Sequence, residues 1–424
     1  KDQRTRSYFG TPTILDPAQL EGIYRGNGIG RRIVDLPVSE MTREWFEVKG
    51  DSEGACLGYL ESLHAKASVQ DALTWADLYG GSLIVMGLDD GQKDLSIELA
   101  LPRLRKVAFF HVYDRWQVTW MTGDLYTEPT HPLFNQPMRY RVTPYGGGQP
   151  FTVHESRTLT FKGAKVPPRA ERENQGWGDS MLQAPFEQLR NSCALDDVVS
   201  LLAEASDIGV LKIKNLVQLL AMKDGESKVK QRLEIIDYAK HVLKTMLLAD
   251  GEEYERKATQ ALTGLAQIQD RQAQRVSAAT GIPVTLLFGE VPSGLQATGK
   301  INQSNWYDDV HGRQERKLLP PLERLVRYVY LSSEGPTRGK EPPNWKIEFC
   351  PLWQPTENEQ AELRKTQADV DVAYINAGVL DPAEVAISRF GGERYSTDTK
   401  LEPSLRTERQ PMPVAKPNGA AQRV

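Results

Sequence analysis

A mixed α+β protein is predicted, on three observations. Residues from about 16 to 79 carry apolar positions at helical spacing, bounded by capping signals. Between Ser82 and Phe161, short β-branched or aromatic runs alternate with Gly, Pro and Asp turns, the pattern of strands in a mixed or antiparallel sheet. From Leu262 onward the helical period returns and dominates to about Arg389.

The elements follow in order. Lys1–Gly10 is polar and reads as an arm. Asp16-Pro17 supplies a capping side chain and a proline at the first helical position, opening a helix over Ala18–Tyr24. Gly26-Asn27-Gly28 reads as a helix–helix turn, and Arg31–Arg43 as a second helix interrupted by Pro37. A long helix is predicted from Ser52 to Tyr79, closed by Gly80-Gly81. The strand candidates are Ser82–Leu88, Val107–Val112, Gln117–Met121, Tyr140–Thr143 and Thr158–Phe161. Asp179 is expected to cap a helix ending near Ser206. Ile208–Ile213 reads as a strand, followed by a helical stretch that breaks near Lys223–Gly225 and ends near Thr245, and Met246–Leu248 and Tyr254–Ala258 as a hairpin around Asp250-Gly251. Leu262–Ala279 and Asn302–Leu331 are helices, the second kinked at Pro320-Pro321 because proline removes a backbone donor and collides with the preceding turn. After the Pro/Gly-rich Ser332–Asn344 comes a short strand, Trp345–Phe349, then helices over Glu357–Asn376 and Pro382–Arg389. Lys400–Val424, with four prolines and five Lys/Arg against two Glu, is a basic, weakly structured tail by composition.

Composition bounds the function. The 424 residues, 40% hydrophobic and 25% charged, suffice for two or three domains or one elaborated one. Lys+Arg 52 against Asp+Glu 56 gives a net charge of -4, which excludes a protein that coats nucleic acid through overall charge. Cys56, Cys193 and Cys350 are odd in number and far apart, so neither a disulfide framework nor a Cys-x-x-Cys metal site is predicted. No apolar run reaches the roughly 20 residues of a membrane span. Length and charge predict a cytosolic soluble protein; the chain opens on Lys1 rather than on Met, which leaves room for residues or a targeting signal upstream.

Chemistry-bearing motifs are weak. Gly294-Leu295-Gln296-Ala297-Thr298-Gly299-Lys300 matches a phosphate-binding loop up to its last position, where Ile301 replaces the hydroxyl that would hold Mg²⁺, and no strand feeds it. Gly26-Asn27-Gly28-Ile29-Gly30 has the wrong glycine spacing for a dinucleotide loop. The six histidines form no His-x3-His or His-Glu-x2-His pair. His154-Glu155-Ser156 is a single His-x-Ser, where phosphoesterases of the paired type need two. Asp89-Asp90, Asp196-Asp197 and Asp308-Asp309 read as solvated turns and helix faces, and the eight tryptophans as core and interface anchors. No catalytic residue, cofactor or metal is predicted, which itself points to a structural protein.

Three segments, in order, resemble the portal proteins of tailed bacteriophages, in the branch whose family name also covers anti-CBASS phage proteins. The first is Tyr24-Arg25-Gly26-Asn27 with Arg32-Ile33-Val34-Asp35-Leu36-Pro37 and Glu40-Met41-Thr42-Arg43-Glu44-Trp45-Phe46. The second runs from Arg275 to Gly289 through Gly281-Ile282-Pro283 and Leu287-Phe288-Gly289, then Gly294-Leu295-Gln296-Ala297-Thr298-Gly299, which makes the apparent nucleotide motif a portal loop. The third is Leu318-Leu319-Pro320-Pro321-Leu322-Glu323-Arg324-Leu325, then Phe349 and Pro351-Leu352, then Ala377-Gly378-Val379-Leu380-Asp381-Pro382-Ala383-Glu384-Val385. The resemblance spans about Thr11 to Gly392; the tail after Thr397 matches nothing in it, and no tunnel loop is assigned.

The resemblance implies an α+β portal fold. Its parts would be an N-terminal arm (1–10), an α/β wing (11–303), a stem helix (304–331), a small β-containing clip (332–355), a second stem helix (356–378), an inner or crown-side helix (379–399) and the tail (400–424). It further implies a homo-oligomeric ring of about twelve subunits at one capsid vertex, assembled in the host bacterial cytoplasm and resident in the virion. Double-stranded DNA would pass through it without sequence-specific contact. Its partners would be the major capsid protein and scaffold, the terminase large subunit and the head–tail adaptor, with no membrane, no enzymatic activity and no cofactor. The alternatives are a cyclic-oligonucleotide phosphodiesterase of the same named family, which needs a second His-x-Ser/Thr, and a packaging NTPase, which needs a complete phosphate loop.

The residues fit such a ring in two ways. A channel for a polyanion should not hold it tightly, since each phosphate–Lys contact adds salt-dependent affinity, and a net charge of -4 agrees. The Pro320-Pro321 helix carries Leu, Val and Tyr on several faces and suits packing on copies of itself. Trp345, Lys346, Ile347, Glu348 and Phe349 are the candidate clip residues that dock terminase or adaptor; a strand so short is expected to borrow a partner from a neighbouring subunit. Glu359, Glu362 and Asp369, with Thr366, recur at spacings of three and four on one helix face and are the candidate channel-facing residues. Leu363, Val370 and Tyr374 form a neighbouring face able to pack.

Overall fold

The structure, a computed structural model, describes residues 14–51, 54–205, 209–212, 224–238, 253–256, 264–289, 296–352, 357–391 and 399. The arm 1–10 and the tail 400–424 lie outside the described residues, as do Met246–Leu248 and Gly294-Leu295. The chain divides into two compact units, 1–352 and 353–424.

In the first unit, α1 (Pro17–Gly26) starts where the sequence places it: the Asp16 carboxylate accepts from the Gln19 backbone N–H, and the Gln19 side chain answers the Asp16 N–H. Asn27 both ends α1 and caps α2 (Gly28–Arg43), its side-chain oxygen accepting from Gly30 N–H at 2.7 Å. The helix–helix turn is therefore as expected. β1 (Phe46–Lys49) follows. The single helix expected over Ser52–Tyr79 is instead two, α3 (Ala55–Ser62) and α4 (Ala65–Tyr79), because His64 adopts a left-handed conformation between them (φ 53).

Gly80 ends α4 at φ 92, and the Trp177 indole lies so close over Gly81 that a Cβ there would collide with it. β2 (Gly81–Asp89) is the centre of an antiparallel sheet between β3 (Lys106–Asp114) and β7 (Thr158–Lys162). A second sheet, β4 (Val118–Thr119), β5 (Arg139–Val142) and β6 (Phe151–His154), also antiparallel, covers its outer face. Leu83, Val85, Val118, Tyr140, Val142, Val153 and Trp177 are buried in a small core there.

After α5 (Pro168–Glu173), the helix expected to open at Asp179 begins only at Phe186 (α6, Phe186–Ala205). Asp179 exchanges backbone hydrogen bonds with Ala164 and accepts Asn174 Nδ2 at 2.7 Å, and Pro185 precedes the true start. β8 (Gly209–Lys212) pairs antiparallel with β9 (Glu253–Arg256), and α7 (Gly225–Tyr238) lies between them in sequence; the turn and first strand of the hairpin expected around Asp250-Gly251 fall on residues outside the described ones.

α8 (Leu265–Thr280) and α9 (Val284–Phe288) precede the main core helix. That helix is α10 (Gln296–Arg313) and α11 (Leu319–Leu331), joined by a π turn over Gln314–Leu318 whose Leu319 N–H bonds to Gln314 O. Where a kink is expected at Pro320-Pro321, the helix carries this π turn, an extra residue one turn earlier, since the two prolines cannot donate to the carbonyls before them. Trp306, Val310, Leu318, Leu322, Leu325, Val326, Val329 and Tyr330 are buried with Ile33, Val34, Met41, Leu73 and Ile84 in one core shared by the N-terminal helices and the first sheet. β10 (Lys346–Phe349) returns to pair with β1. The second unit holds α12 (Glu357–Asn376) and α13 (Pro382–Phe390).

Candidate functional site

The clip candidates sit on a two-stranded antiparallel ribbon. Phe46 faces Phe349, Glu47 faces Glu348, Val48 faces Ile347 and Lys49 faces Lys346. This corrects the expectation that the strand takes its partner from a neighbouring subunit: residues 46–49, whose Phe-Glu-Val-Lys alternation is itself a strand pattern, supply it within the chain. One ribbon face is apolar, with Phe46, Val48 and Ile347 buried. The other is charged and exposed: Lys49 Nζ lies 3.2 Å from Glu47 and 4.0 Å from Glu348, and Lys346 Nζ 3.9 Å from Glu348. Trp345 is half-buried against Tyr330, rings 5.6 Å apart and edge-on, and its Nε1 donates to Glu341 at 2.9 Å. Phe349 meets His311 edge-on at 6.4 Å. Trp345 and Phe349 therefore anchor the ribbon, and Lys346 and Glu348 are its outward groups.

The acidic-stripe candidates lie on α12. Glu362 and Asp369 are exposed, with Thr366 between them, while the Glu359 side chain lies outside what the structure describes. Leu363, Val370 and Tyr374, expected to form a packing face, are 55%, 38% and 46% exposed, so the second unit does not cover them from within. One contact between α13 and α12 is a pair that residue spacing did not suggest. Arg389 donates from Nε to Asp371 Oδ2 and from Nη2 to Asp371 Oδ1, each at 2.8 Å, with both side chains buried. The guanidinium fork holds the Asp371 carboxyl below the usual carboxylate range. A signal for the α13 start was present: Asp381 and Glu384 form a capping box around Pro382.

The enzyme-like motifs take structural roles. His154 is buried, and its Nδ1 accepts the Ser156 backbone N–H at 3.2 Å and faces Ser156 Oγ at 2.9 Å. Ser156 Oγ in turn accepts Leu99 N–H at 2.9 Å, so the pair closes a tight turn. Desolvation pushes the His154 pKa down, which favours the neutral ring at physiological pH. The phosphate-loop lookalike is helical from Gln296 onward, so Gly299 and Lys300 belong to α10 rather than to a cradle. Among the described residues no group of three or more His, Cys, Asp or Glu is arranged to hold a metal ion, and no helix is long and apolar enough to cross a membrane.

The first unit is thus a mixed α+β fold bearing a charged ribbon, and the second a two-helix unit. The same fold occurs in the neck of an empty GTA particle computed with C6 symmetry, with a TM-score of 0.54 at 15% identity over 89% of this chain and 94% of that one. It occurs again in the neck of a native GTA particle computed with C12 symmetry, with a TM-score of 0.51 at 14% identity over the same shares. Residues 18–373 match the phage portal protein family, and the chain belongs to that family. Relatives include a protein named anti-CBASS protein Acb1 from Caulobacter sp. (strain RHG1), 31% identical over 86% of this chain and 58% of its own length. A protein of the same name from Sphingomonas paeninsulae is 28% identical over 96% of this chain and 65% of its own length. A Haemophilus influenzae protein without an assigned function is 27% identical over 91% of this chain and 86% of its own. The chain thus spans less than two thirds of the first two relatives.

Proposed function

We propose that this chain is the subunit of a portal ring, of about twelve copies, through which double-stranded DNA enters and leaves a capsid. The observation that carries the reading is the portal-family match over residues 18–373. The GTA necks with C6 and C12 symmetry support a rotationally symmetric assembly for this fold. In this reading residues 11–303 serve as the wing, 304–331 as a stem helix, 332–355 as the clip, 356–378 as a second stem helix and 379–399 as a crown-side helix. Lys346 and Glu348, on the exposed ribbon face, meet terminase or adaptor, with Trp345, Ile347 and Phe349 holding the ribbon in place. Glu359, Glu362 and Asp369 face the DNA and keep it from adhering. The subunit contacts the major capsid protein and scaffold, assembles in the host cytoplasm, resides in the virion and performs no catalysis itself. Negative-stain imaging of the purified chain tests the reading: rings with a central hole are expected, and a field of small monomeric particles would refute it.

A second reading, an anti-CBASS activity, is favoured by the names of the first two relatives. Against it stand the single His-x-Ser of this chain and the use of both its side chains in a closed turn. Incubation of the purified chain with cyclic oligonucleotides separates the two: hydrolysis would support the second reading, intact substrate the first.

A further inference from the structure

A cleft of about 810 Å³ opens in the first unit between β7 with the loop after it and one face of the α10–α11 run. Asp309, Arg313, Arg316, Lys317, Pro320 and Arg324 line the helical wall at spacings of three and four, with Arg316 and Lys317 on the π turn. That turn directs Gln314 into the core, where it is fully buried and donates to Met41 O at 2.8 Å, while Arg316 remains exposed.

The charges of the cleft do not cancel. Arg313 pairs with Asp309 at 2.8 Å, Arg324 with Glu155 at 2.9 Å and Lys162 with Glu171 at 2.7 Å, all within the walls. Lys317 pairs with Asp77, behind the wall. Lys165 and Arg316 remain, both exposed and in no ion pair with another described residue. Between the cations the lining is apolar, with Leu133, Pro137, Val166, Met181 and Pro321.

We propose that this cleft binds an extended acidic peptide segment of a partner protein, with an apolar side chain on the floor and carboxylates at Lys165 and Arg316. The volume lies within the roughly 300–1,000 Å³ of ligand pockets. Nucleic acid is the poorer fit. A base needs an exposed aromatic face to stack on, and Tyr140, the aromatic residue of the lining, is buried. A continuous run of phosphates would also meet Glu155, Glu171 and Asp309 on the walls. A peptide alternates acidic and apolar side chains and brings backbone N–H groups that those wall carboxylates can accept. The inference does not rest on the portal reading.

The test is fluorescence anisotropy on the full chain. The probes are a labelled peptide alternating Glu, Asp and Leu, a matched peptide with Gln and Asn in place of the acids, and a labelled oligothymidylate. The proteins are the wild type, the Lys165→Glu/Arg316→Glu double variant, the milder single variants Lys165→Ala and Arg316→Ala, and Lys93→Glu, an exposed lysine away from the cleft. Saturable binding of the acidic peptide is expected, weakening with salt, falling roughly tenfold or more in the double variant and less in each alanine variant. Lys93→Glu should bind as the wild type does, and the neutral peptide should not bind. The proposal is overturned if the acidic peptide does not saturate, if the alanine variants bind it as the wild type does, or if oligothymidylate binds the wild type and loses that binding in the variants as fully as the peptide. Matching thermal melts of the alanine variants show that a loss belongs to the cleft and not to the fold.

Discussion

The ammonium of Lys317 lies 2.5 Å from the carboxylate of Asp77, a residue with no exposed surface, and so ties the π turn of the main core helix to α4. Removing one partner strands the other's charge in the interior, which costs more than the pair contributes when intact. Lys317→Met should therefore destabilise the first unit by about 3 kcal/mol, and Lys317→Met with Asp77→Asn should recover most of that. Urea melts of these two variants and of Asp77→Asn alone check this; losses in the double variant equal to the sum of the two single losses would show that the residues do not act as a pair.

The Arg389–Asp371 fork should make the second unit acid-sensitive. Asp371 has its folded pKa depressed, first by the hydrogen bonds from Arg389. Its contribution to stability is therefore present above the ordinary Asp value and lost as pH falls through the lower folded value. Hydrogen-exchange protection over α12 and α13, taken relative to the intrinsic rate at each pH, should fall on acidification below about pH 4, and Asp371→Asn should show low protection already at neutral pH with little further acid dependence. Equal acid dependence in the wild type and the variant would remove the fork from the account.

On the ribbon, the two faces should separate stability from docking. Ile347→Ala, at a buried position, should cost about 2–4 kcal/mol. Lys346→Glu with Glu348→Lys, at exposed positions, should leave melting unchanged and weaken capture of terminase or adaptor. Unaltered capture by the charge-swapped protein would take the ribbon out of the docking surface.

Along α12, Glu359→Lys, Glu362→Lys and Asp369→Lys together should leave ring formation intact but slow DNA packaging, most strongly at low salt where screening is weakest. A packaging rate and salt dependence equal to the wild type would mean that the stripe does not line the DNA path.

Much of the architecture was legible because local chemistry and tertiary contacts agree. Asp16-Pro17, Asn27 and Gly80 each do in the fold what their residue type favours. Where contacts decide instead, the sequence pattern falls short. His64 breaks a run with continuous helical spacing, and Asp179 spends its carboxylate on Asn174 rather than on a helix start. The partner of Lys346–Phe349 lies about three hundred residues away in sequence, beyond any local pattern. The basic cleft had a readable signal in Arg313, Arg316, Lys317 and Arg324 at helical spacing. Its other wall comes from the chain after β7, and only the fold joins them.

The central claim is assembly, and the mass of the purified chain in solution tests it most directly. Analytical ultracentrifugation at micromolar concentration should give one large species near twelve times the 47.5 kDa subunit. A stable species at 47.5 kDa, unchanged as concentration rises, would contradict the account.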